Sequence, residues 1–224
     1  MSLLDNDRFR HFLGQRILCE VQTGEKVVAL TFDDGPNPRY TPALLDLLER
    51  KGIRATFFMV GNRVRRFPEI VRRAAETGHE IANHTYWHIG LTLLPPAEIQ
   101  RTIRNTSALV ERTVGVTPRF VRPPMGWFND IVLKSIRATG HTPVIGSIHP
   151  QDSRKPGAGV IVDRVLRRAA PGAIIILHDG GWRVHSDRSQ SVAAADEITD
   201  SLLALDYRFL TLAELIEEGE TPIP

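Results

Sequence analysis

Strand-like and helix-like segments alternate along nearly the whole chain, and this alternation limits the possible folds more than any other feature. Amphipathic helical patterns are separated by short apolar runs that end in turn residues. Strands joined through helices favour a mostly parallel sheet with helices on the outside, so we predict an α/β fold. The predicted strands are 27–32, 56–60, 80–82, 120–121, 143–145, 173–177 and 208–210, and the predicted helices are 42–51, 68–77, 95–114, 131–138, 161–169 and 192–205.

Length and composition favour a single folded unit. The chain has 224 residues, of which 42% are hydrophobic, and this is enough for one continuous core. We assign residues 27–224 to this domain and the weakly patterned residues 1–26 to an N-terminal arm or appended strand. The single cysteine, Cys19, excludes an internal disulfide.

The charge pattern argues against two classes of partner. The net charge is only +2, and a nucleic-acid site would need aromatic residues interleaved with the basic ones, so no nucleic-acid partner is expected. We expect the densest basic cluster to be a solvated helix face; it consists of Arg63, Arg65, Arg66, Arg72 and Arg73. No stretch reaches 18 apolar residues, so no membrane span is predicted.

The N-terminus has acidic residues and no long apolar segment, so it does not have the pattern of a secretory signal. We therefore expect a cytoplasmic protein. The alternative is a protein of the cell envelope, or a secreted one, from which a leader was trimmed. No feature of the sequence indicates an oligomeric state.

The first predicted strand ends in two adjacent carboxylates, Asp33 and Asp34, followed by Gly35 and Pro36. Neighbouring side chains of an extended strand point to opposite faces, so both acids can share a face only where the strand ends. Strand ends are where α/β folds place their chemistry. One acid could then hold a metal while the other takes a proton. The simpler interpretation is a polar cap at an Asp-Gly turn.

Two histidines, His84 and His88, follow the predicted strand 80–82. Histidines four residues apart can reach one ion from one face of a helical turn or from a compact loop. With one carboxylate they make a three-ligand set for zinc or a similar divalent ion, and one coordination position stays open. The alternative is two unrelated surface histidines. The position at a strand end, which Asp34 shares, favours the metal site.

An arginine and a third histidine also follow predicted strands. Arg122 lies after 120–121 and before two prolines, where its guanidinium could pair with an acid and set that acid's orientation and pKa. His178 ends the most hydrophobic predicted strand, 173–177, and is well placed as a general acid near neutral pH. The alternative for His178 is a histidine that packs in the core or caps the strand.

Together these motifs resemble those of the polysaccharide deacetylases of carbohydrate esterase family four, which share the chitooligosaccharide deacetylase homology domain. The matching segments occur in the family order and are TFDDG (31–35), HTYWH (84–88), RPP (122–124) and ILH (176–178). The resemblance runs from about residue 27 to about residue 216. It implies a distorted, incomplete (β/α) barrel with the active site at the carboxyl ends of the strands.

The resemblance also implies an activity and a cofactor. The expected reaction is hydrolytic removal of N-acetyl groups, or of O-acetyl groups, from N-acetylglucosamine-containing glycans such as chitooligosaccharide or peptidoglycan. The acetylated glycan is thus the expected partner. Asp34, His84 and His88 would bind a divalent metal, expected to be zinc, with cobalt or nickel as substitutes.

The remaining motif residues receive roles from the same resemblance. Asp33 would be the general base that deprotonates a metal-bound water, and Arg122 would hold Asp33. His178 would protonate the leaving amine. The backbone N–H of Met125 would contact the oxyanion, and Ile176 would line the pocket for the acetyl methyl.

The chain departs from the family pattern at the third and fourth motifs. Met125 stands where the third motif has a tyrosine, and HPQDS (149–153) replaces Asp-Pro-x-Asp-Trp in the fourth. Asp152 keeps a carboxylate that is expected to pair with Arg122. His149 replaces an acid, and Ser153 replaces the tryptophan that walls the acetyl pocket. The candidates for the missing aromatic surface are Trp127, Trp182 and Trp87.

Two other functions fit parts of the pattern. A hydrolase of the same fold that attacks a non-sugar C–N bond, such as a cyclic imide, usually lacks the metal set that this chain keeps in Asp34, His84 and His88. A carbohydrate-binding module without turnover would be favoured if Asp33 or His178 were missing. Both residues are present.

Overall fold

The structure is a computed structural model that describes residues 16–219, and its elements alternate as predicted. The strands are β1 Val27–Gly35, β2 Thr56–Met59, β3 Glu80–Asn83, β4 Phe120–Val121, β5 Thr142–Pro143, β6 Ala173–His178 and β7 Arg208–Leu210. The helices are α1 Tyr40–Lys51, α2 Gly61–Arg66, α3 Pro68–Glu76, α4 Pro96–Val114, α5 Asp130–Arg137, α6 Ala158–Leu166, α7 Ser189–Ala204 and α8 Leu212–Glu218. Short 3₁₀ turns occupy Leu91–Leu93, Pro124–Gly126 and Asp152–Arg154.

The structure departs from the predicted elements at several boundaries and in two missed helices. Strand β1 continues three residues past its predicted end, to Gly35, and α6 and α7 each begin three residues before their predicted starts, at Ala158 and Ser189. The sequence pattern missed α2, a six-residue helix too short to show periodicity. It also missed α8, which begins with a capping box between Thr211 and Glu214. Within residues 16–219 no helix combines the length and apolar character needed to cross a membrane.

The strands form one parallel sheet that curls into an incomplete barrel, as the resemblance implied. Its strand order is β5-β4-β3-β2-β1-β6, and β7 also pairs with β1. The gap between β5 and β6 is spanned by isolated bridges rather than by strands. Leu18 pairs with Val144, and Ile148 pairs with Ile175. The sheet therefore keeps an open side, and its strands end at one common edge.

The segment before β1 helps to bridge the gap between β5 and β6. The N–H of Leu18 donates to the carbonyl of Pro143 at 3.1 Å, and the N–H of Ile145 donates back to Leu18 at 2.8 Å. The N–H of Val21 donates to Gly172 at 3.0 Å. These residues belong to the predicted N-terminal arm, 1–26, of which residues 1–15 lie outside the described part of the chain. The described part of the arm packs along the open side of the barrel.

Strand β1 divides its side chains between two apolar clusters. Val28, Leu30 and Phe32 are fully buried among the outer helices, whereas Val27 and Ala29 pack in a second cluster inside the barrel. Alternation along the strand then carries the inward series to Thr31 and Asp33. The core packing of β1 therefore directs Asp33 into the barrel at its carboxyl edge.

Candidate active site

A break in the pairing of β1 brings both adjacent acids to one pocket. The register between β1 and β2 shifts between Asp33 and Gly35, so Asp34 is the extra residue of a bulge. Its φ of 73° lies in the left-handed region, which turns its side chain away from the outward path that strict alternation would give it. Asp33 and Asp34 are 5% and 7% exposed and both line the same cavity. The bulge thus provides two carboxylates with different neighbours.

Asp34 lies against two imidazoles. Its Oδ1 is 2.9 Å from Nε2 of His88 and 3.4 Å from Nε2 of His84. Nδ1 of His84 is 2.9 Å from the carbonyl oxygen of Arg122, which only accepts, so Nδ1 carries the proton and the lone pair of Nε2 faces Asp34. Positive φ at Thr85 and His88 shows that a compact loop, not a helical turn, closes the pair.

This group fits a divalent metal ion. One ligand atom from each of Asp34, His84 and His88 lies within 4.8 Å of the others. Oδ1 of Asp34 is buried and has no hydrogen-bond partner within residues 16–219, because the geometry of its contact with His88 is not that of a hydrogen bond. Burial would raise the pKa of the Asp34 carboxyl, but the neighbouring imidazoles lower it well below its usual value. A deprotonated carboxylate with two imidazole nitrogens is a donor set that zinc and similar ions accept.

The second acid, Asp33, is held by Arg122, as the sequence predicted. Nη1 of Arg122 donates to Oδ1 of Asp33 at 2.6 Å and to Oγ1 of Thr31 at 2.9 Å, and Nη2 donates to the carbonyl of Ile145 at 2.6 Å. The guanidinium is 2% exposed and lies 3.9 Å from the ring centroid of Phe58. Its hydrogen bonds to β1 and to the segment after β5 fix the orientation of the Asp33 carboxylate.

The predicted pairing of Asp152 with Arg122 is wrong, because Asp152 pairs with His178. Nδ1 of His178 donates to Oδ1 of Asp152 at 2.8 Å, and the backbone N–H of His178 donates to Oδ2 at 2.8 Å. The hydroxyl of Ser191 donates to the same Oδ2 at 2.7 Å. The guanidinium of Arg122 contacts Asp33 instead. Asp152 instead begins the 3₁₀ turn beside the end of β6, next to His178.

This pairing sets the protonation of His178. Burial by itself lowers the pKa of the imidazole, but the charge and hydrogen bond of Asp152, together with the charges of Asp34 and Asp33, raise it to about 9. His178 is therefore a cation near neutral pH, with Nδ1 bound to Asp152. Its Nε2 proton is available on the pocket side, because His178 lines the same cavity as the two acids.

The cavity has a volume of about 440 Å³ and receives all the predicted catalytic and metal-binding side chains except Asp152, which lies behind His178. Met125, Ile176 and Trp182 line it as predicted, and so do His149 and Ser153. The remaining lining residues are Gly126, Ile145, Arg154 and Arg188.

The prediction that Trp127 forms a wall of this pocket is wrong. The 3₁₀ turn Pro124–Gly126 directs its indole ring toward Gly90, and the side chain is 53% exposed. Trp87 lines a neighbouring cavity next to Leu94. Of the three tryptophans, only Trp182 borders the site.

The sequence pattern missed the role of Arg63. Within the expected solvated cluster this side chain is 7% exposed, and it donates to the carbonyl oxygens of Asp34 and Gly181. Arg188 likewise donates to the carbonyl of Gly180. The guanidinium of Arg63 thus connects the bulge of β1 to the loop that carries Trp182, and that of Arg188 holds the same loop from within. The only signal in the sequence is that Arg63 follows the end of a predicted strand, where site residues gather.

Comparison with known proteins agrees with this geometry. A family model described as polysaccharide deacetylase matches residues 20–144. The chain is 42% identical over 202 residues to a peptidoglycan-N-acetylglucosamine deacetylase of Bacillus cereus, covering 89% of this chain and 92% of the relative. It is 38% identical over 197 residues to a chitooligosaccharide deacetylase of Rhizobium leguminosarum bv. trifolii, covering 88% and 91%.

A solved structure shares the fold closely. The Bc1960 peptidoglycan N-acetylglucosamine deacetylase in complex with 4-naphthalen-1-yl-N-oxidanyl-benzamide superposes with a TM-score of 0.86 at 32% identity. The superposition covers 94% of this chain and 98% of the solved one. Sequence, fold and site geometry therefore point to the same family.

Proposed function

The chain belongs to the polysaccharide deacetylase family and is a hydrolytic deacetylase, and from this premise we propose that it removes N-acetyl groups from N-acetylglucosamine-containing glycans. One observation carries the proposal. The Asp34–His84–His88 group lies in the same cavity as an arginine-held carboxylate and a protonated histidine. Amide hydrolysis needs those parts together: an electrophile for the carbonyl oxygen, a base for the water and an acid for the leaving nitrogen.

We assign the metal site to Asp34, His84 and His88, with zinc as the ion. A divalent ion held there supplies Lewis acidity at the acetyl carbonyl oxygen and a water of lowered pKa. Zinc suits a site of two imidazoles and one carboxylate with an open position, and cobalt or nickel accept the same donors.

The proton transfers are assigned to side chains on two adjacent strands, β1 and β6. Asp33, fixed by Arg122, takes the proton from the attacking water. His178, charged because of Asp152, gives its Nε2 proton to the leaving amine. The backbone N–H of Met125 is assigned to the developing oxyanion and Ile176 to the acetyl methyl, since both residues line the cavity.

The substrate is proposed to be the sugar chain of peptidoglycan or a chitooligosaccharide, because the names of the two relatives described above refer to these glycans. Ser153 leaves one wall without its aromatic ring, and Trp182, which is 80% exposed, offers the nearest replacement. A sugar ring that stacks on an aromatic face gains about 0.5–1.5 kcal/mol beyond area burial.

Acetate release from chitooligosaccharides and from peptidoglycan fragments tests this proposal. We expect turnover of at least one of the two glycans. Trp182→Ala should lower kcat/KM about 2- to 12-fold, the equivalent of the stacking energy above. Trp127→Ala is the matched control and should leave kcat/KM unchanged. Equal losses in the two variants would contradict the assignment of the wall, and no acetate from either glycan would contradict the substrate.

A further inference from the structure

His149 and His178, which line the same cavity, form a second group of potential metal ligands with Asp152, which lies behind His178. One ligand atom from each of His149, Asp152 and His178 lies within 4.8 Å of the others. The rings of His149 and His178 are 5.9 Å apart between centroids. Two imidazoles and one carboxylate repeat the kinds of donor that Asp34, His84 and His88 provide.

The carboxylate of this group is oriented by its neighbours. Oδ2 of Asp152 accepts from the backbone N–H of His178 and from Ser191, which leaves Oδ1 directed at Nδ1 of His178. Hydrogen bonds of this kind, from groups around a ligand, fix carboxylates in metal sites. The ring of His149 has no hydrogen-bond partner within residues 16–219, so a nitrogen of His149 is free to bind an ion from the cavity that this residue lines.

We propose that His149, Asp152 and His178 form a second, inhibitory site for a divalent transition-metal ion such as zinc. The ion displaces the Nδ1 proton of His178 to solvent and takes its place between that nitrogen and Asp152. Because this proton must leave first, the site binds zinc more weakly than Asp34, His84 and His88 do. Inhibition follows because a metal ion at Nδ1 replaces the imidazolium with a neutral imidazole, whose Nε2–H is a much weaker acid than that of the imidazolium. This consequence rests on the proposed function.

The decisive variant is His149→Asn, since His149 has no part in the proposed reaction. Equilibrium dialysis against zinc gives the number of ions bound per chain, and acetate release in the same buffers gives the activity. We expect wild-type protein to bind one zinc at low concentration and a second in excess zinc. With the second ion bound, activity should fall about 10²–10⁴-fold, the loss expected without a general acid. His149→Asn should bind one zinc, and its activity in excess zinc should equal its own activity at low zinc.

His185→Asn is the matched control, because it removes an exposed histidine that belongs to neither ligand group. It should behave as wild type in both measurements. His149→Gln provides a second variant if His149→Asn fails to fold. Wild-type protein that binds a single zinc, or His149 variants that bind two or are inhibited at the same zinc concentration, would overturn the proposal. The count of bound ions decides this even if no glycan is deacetylated, so failure of the proposed function is distinguishable.

Discussion

At the scale of single residues, Asp33 and Asp34 have the same carboxyl group, and their different neighbours give them different roles. Asp33 accepts a hydrogen bond from a buried arginine, and Asp34 faces two imidazoles. We predict that Asp33→Asn keeps the metal and loses about 10²–10⁴ in rate, the range for loss of a general base. Asp34→Asn should lose the metal as well. Metal content and acetate release, measured on both variants, check this division.

Two results for Asp33→Asn would contradict this division of roles. If Asp33→Asn kept a near-normal rate, or if it lost its metal as Asp34→Asn does, then the roles of the two acids would have to be exchanged or merged. The protonation of His178 gives an independent test of the other half of the reaction.

The pKa of His178 predicts the alkaline limit of activity. Burial lowers this pKa and Asp152 raises it, with a net value of about 9, so the protonated acid is lost as the pH rises through that region. Asp152→Asn removes the charge and leaves the effect of burial. The alkaline limb of the kcat/KM profile should therefore move to lower pH by about 1–3 units.

Ser191→Ala is the control for this profile, because it removes one hydrogen bond to Asp152 and keeps the carboxylate. The alkaline limb of the kcat/KM profile of Ser191→Ala should stay closer to that of the wild-type protein. An unchanged limb in Asp152→Asn would show that His178 does not set it.

At the scale of elements, helix α2 is short but connects two parts of the site. Arg63→Met would leave the carbonyl oxygens of Asp34 and Gly181 buried without their donor. We expect the free energy of unfolding to fall by about 2–6 kcal/mol, since each of the two unsatisfied buried carbonyls costs about 1–3 kcal/mol. Urea unfolding monitored by fluorescence measures the change.

Arg63→Lys is the matched variant. It keeps the charge but lacks the planar fork that contacts both carbonyls, so it should recover only part of the loss. Arg72, in the exposed part of the same basic cluster, offers a surface control in Arg72→Met, with an expected change below about 0.5 kcal/mol. Equal stability of Arg63→Met and Arg72→Met would rule out the bridging role.

The sequence could predict the elements that alternation and caps specify, but not those that depend on distant contacts. Strand β1 and its inward series to Asp33 follow from period-two patterning. The left-handed conformation of Asp34 does not, because it arises from a shift in pairing with β2. Helix α8 does have a signal in the sequence, because Thr211 and Glu214 have the spacing of a capping box.

Pairing among buried polar groups was the least predictable feature. The sequence shows that Arg122 and His178 lie at strand ends and that Asp152 belongs to the fourth motif, but several pairings of such groups are chemically acceptable. The choice depends on how the 3₁₀ turn 152–154 meets the end of β6, which is a tertiary contact. The burial of Arg63 also depends on a tertiary contact, because this side chain lies between the bulge at Asp34 and the loop at Gly181.

At the scale of the whole molecule, the incomplete barrel explains why motifs so far apart in sequence form one site. Every strand is parallel, so the carboxyl ends of β1, β3, β4 and β6 lie at one edge, and the motif residues follow those ends. The open side between β5 and β6 is bridged by irregular segments, and one of them leads into the fourth motif, 149–153. The cellular location, in the cytoplasm or at the envelope, stays a prediction.

The measurement that tests the central claim most directly is acetate release from an acetylated glycan before and after removal of metal. Protein treated with a chelator and freed of it should be inactive, and one equivalent of zinc should restore the rate. Cobalt should also restore it, because the donors of Asp34, His84 and His88 accept both ions. Full turnover by protein shown to contain no metal would contradict the account.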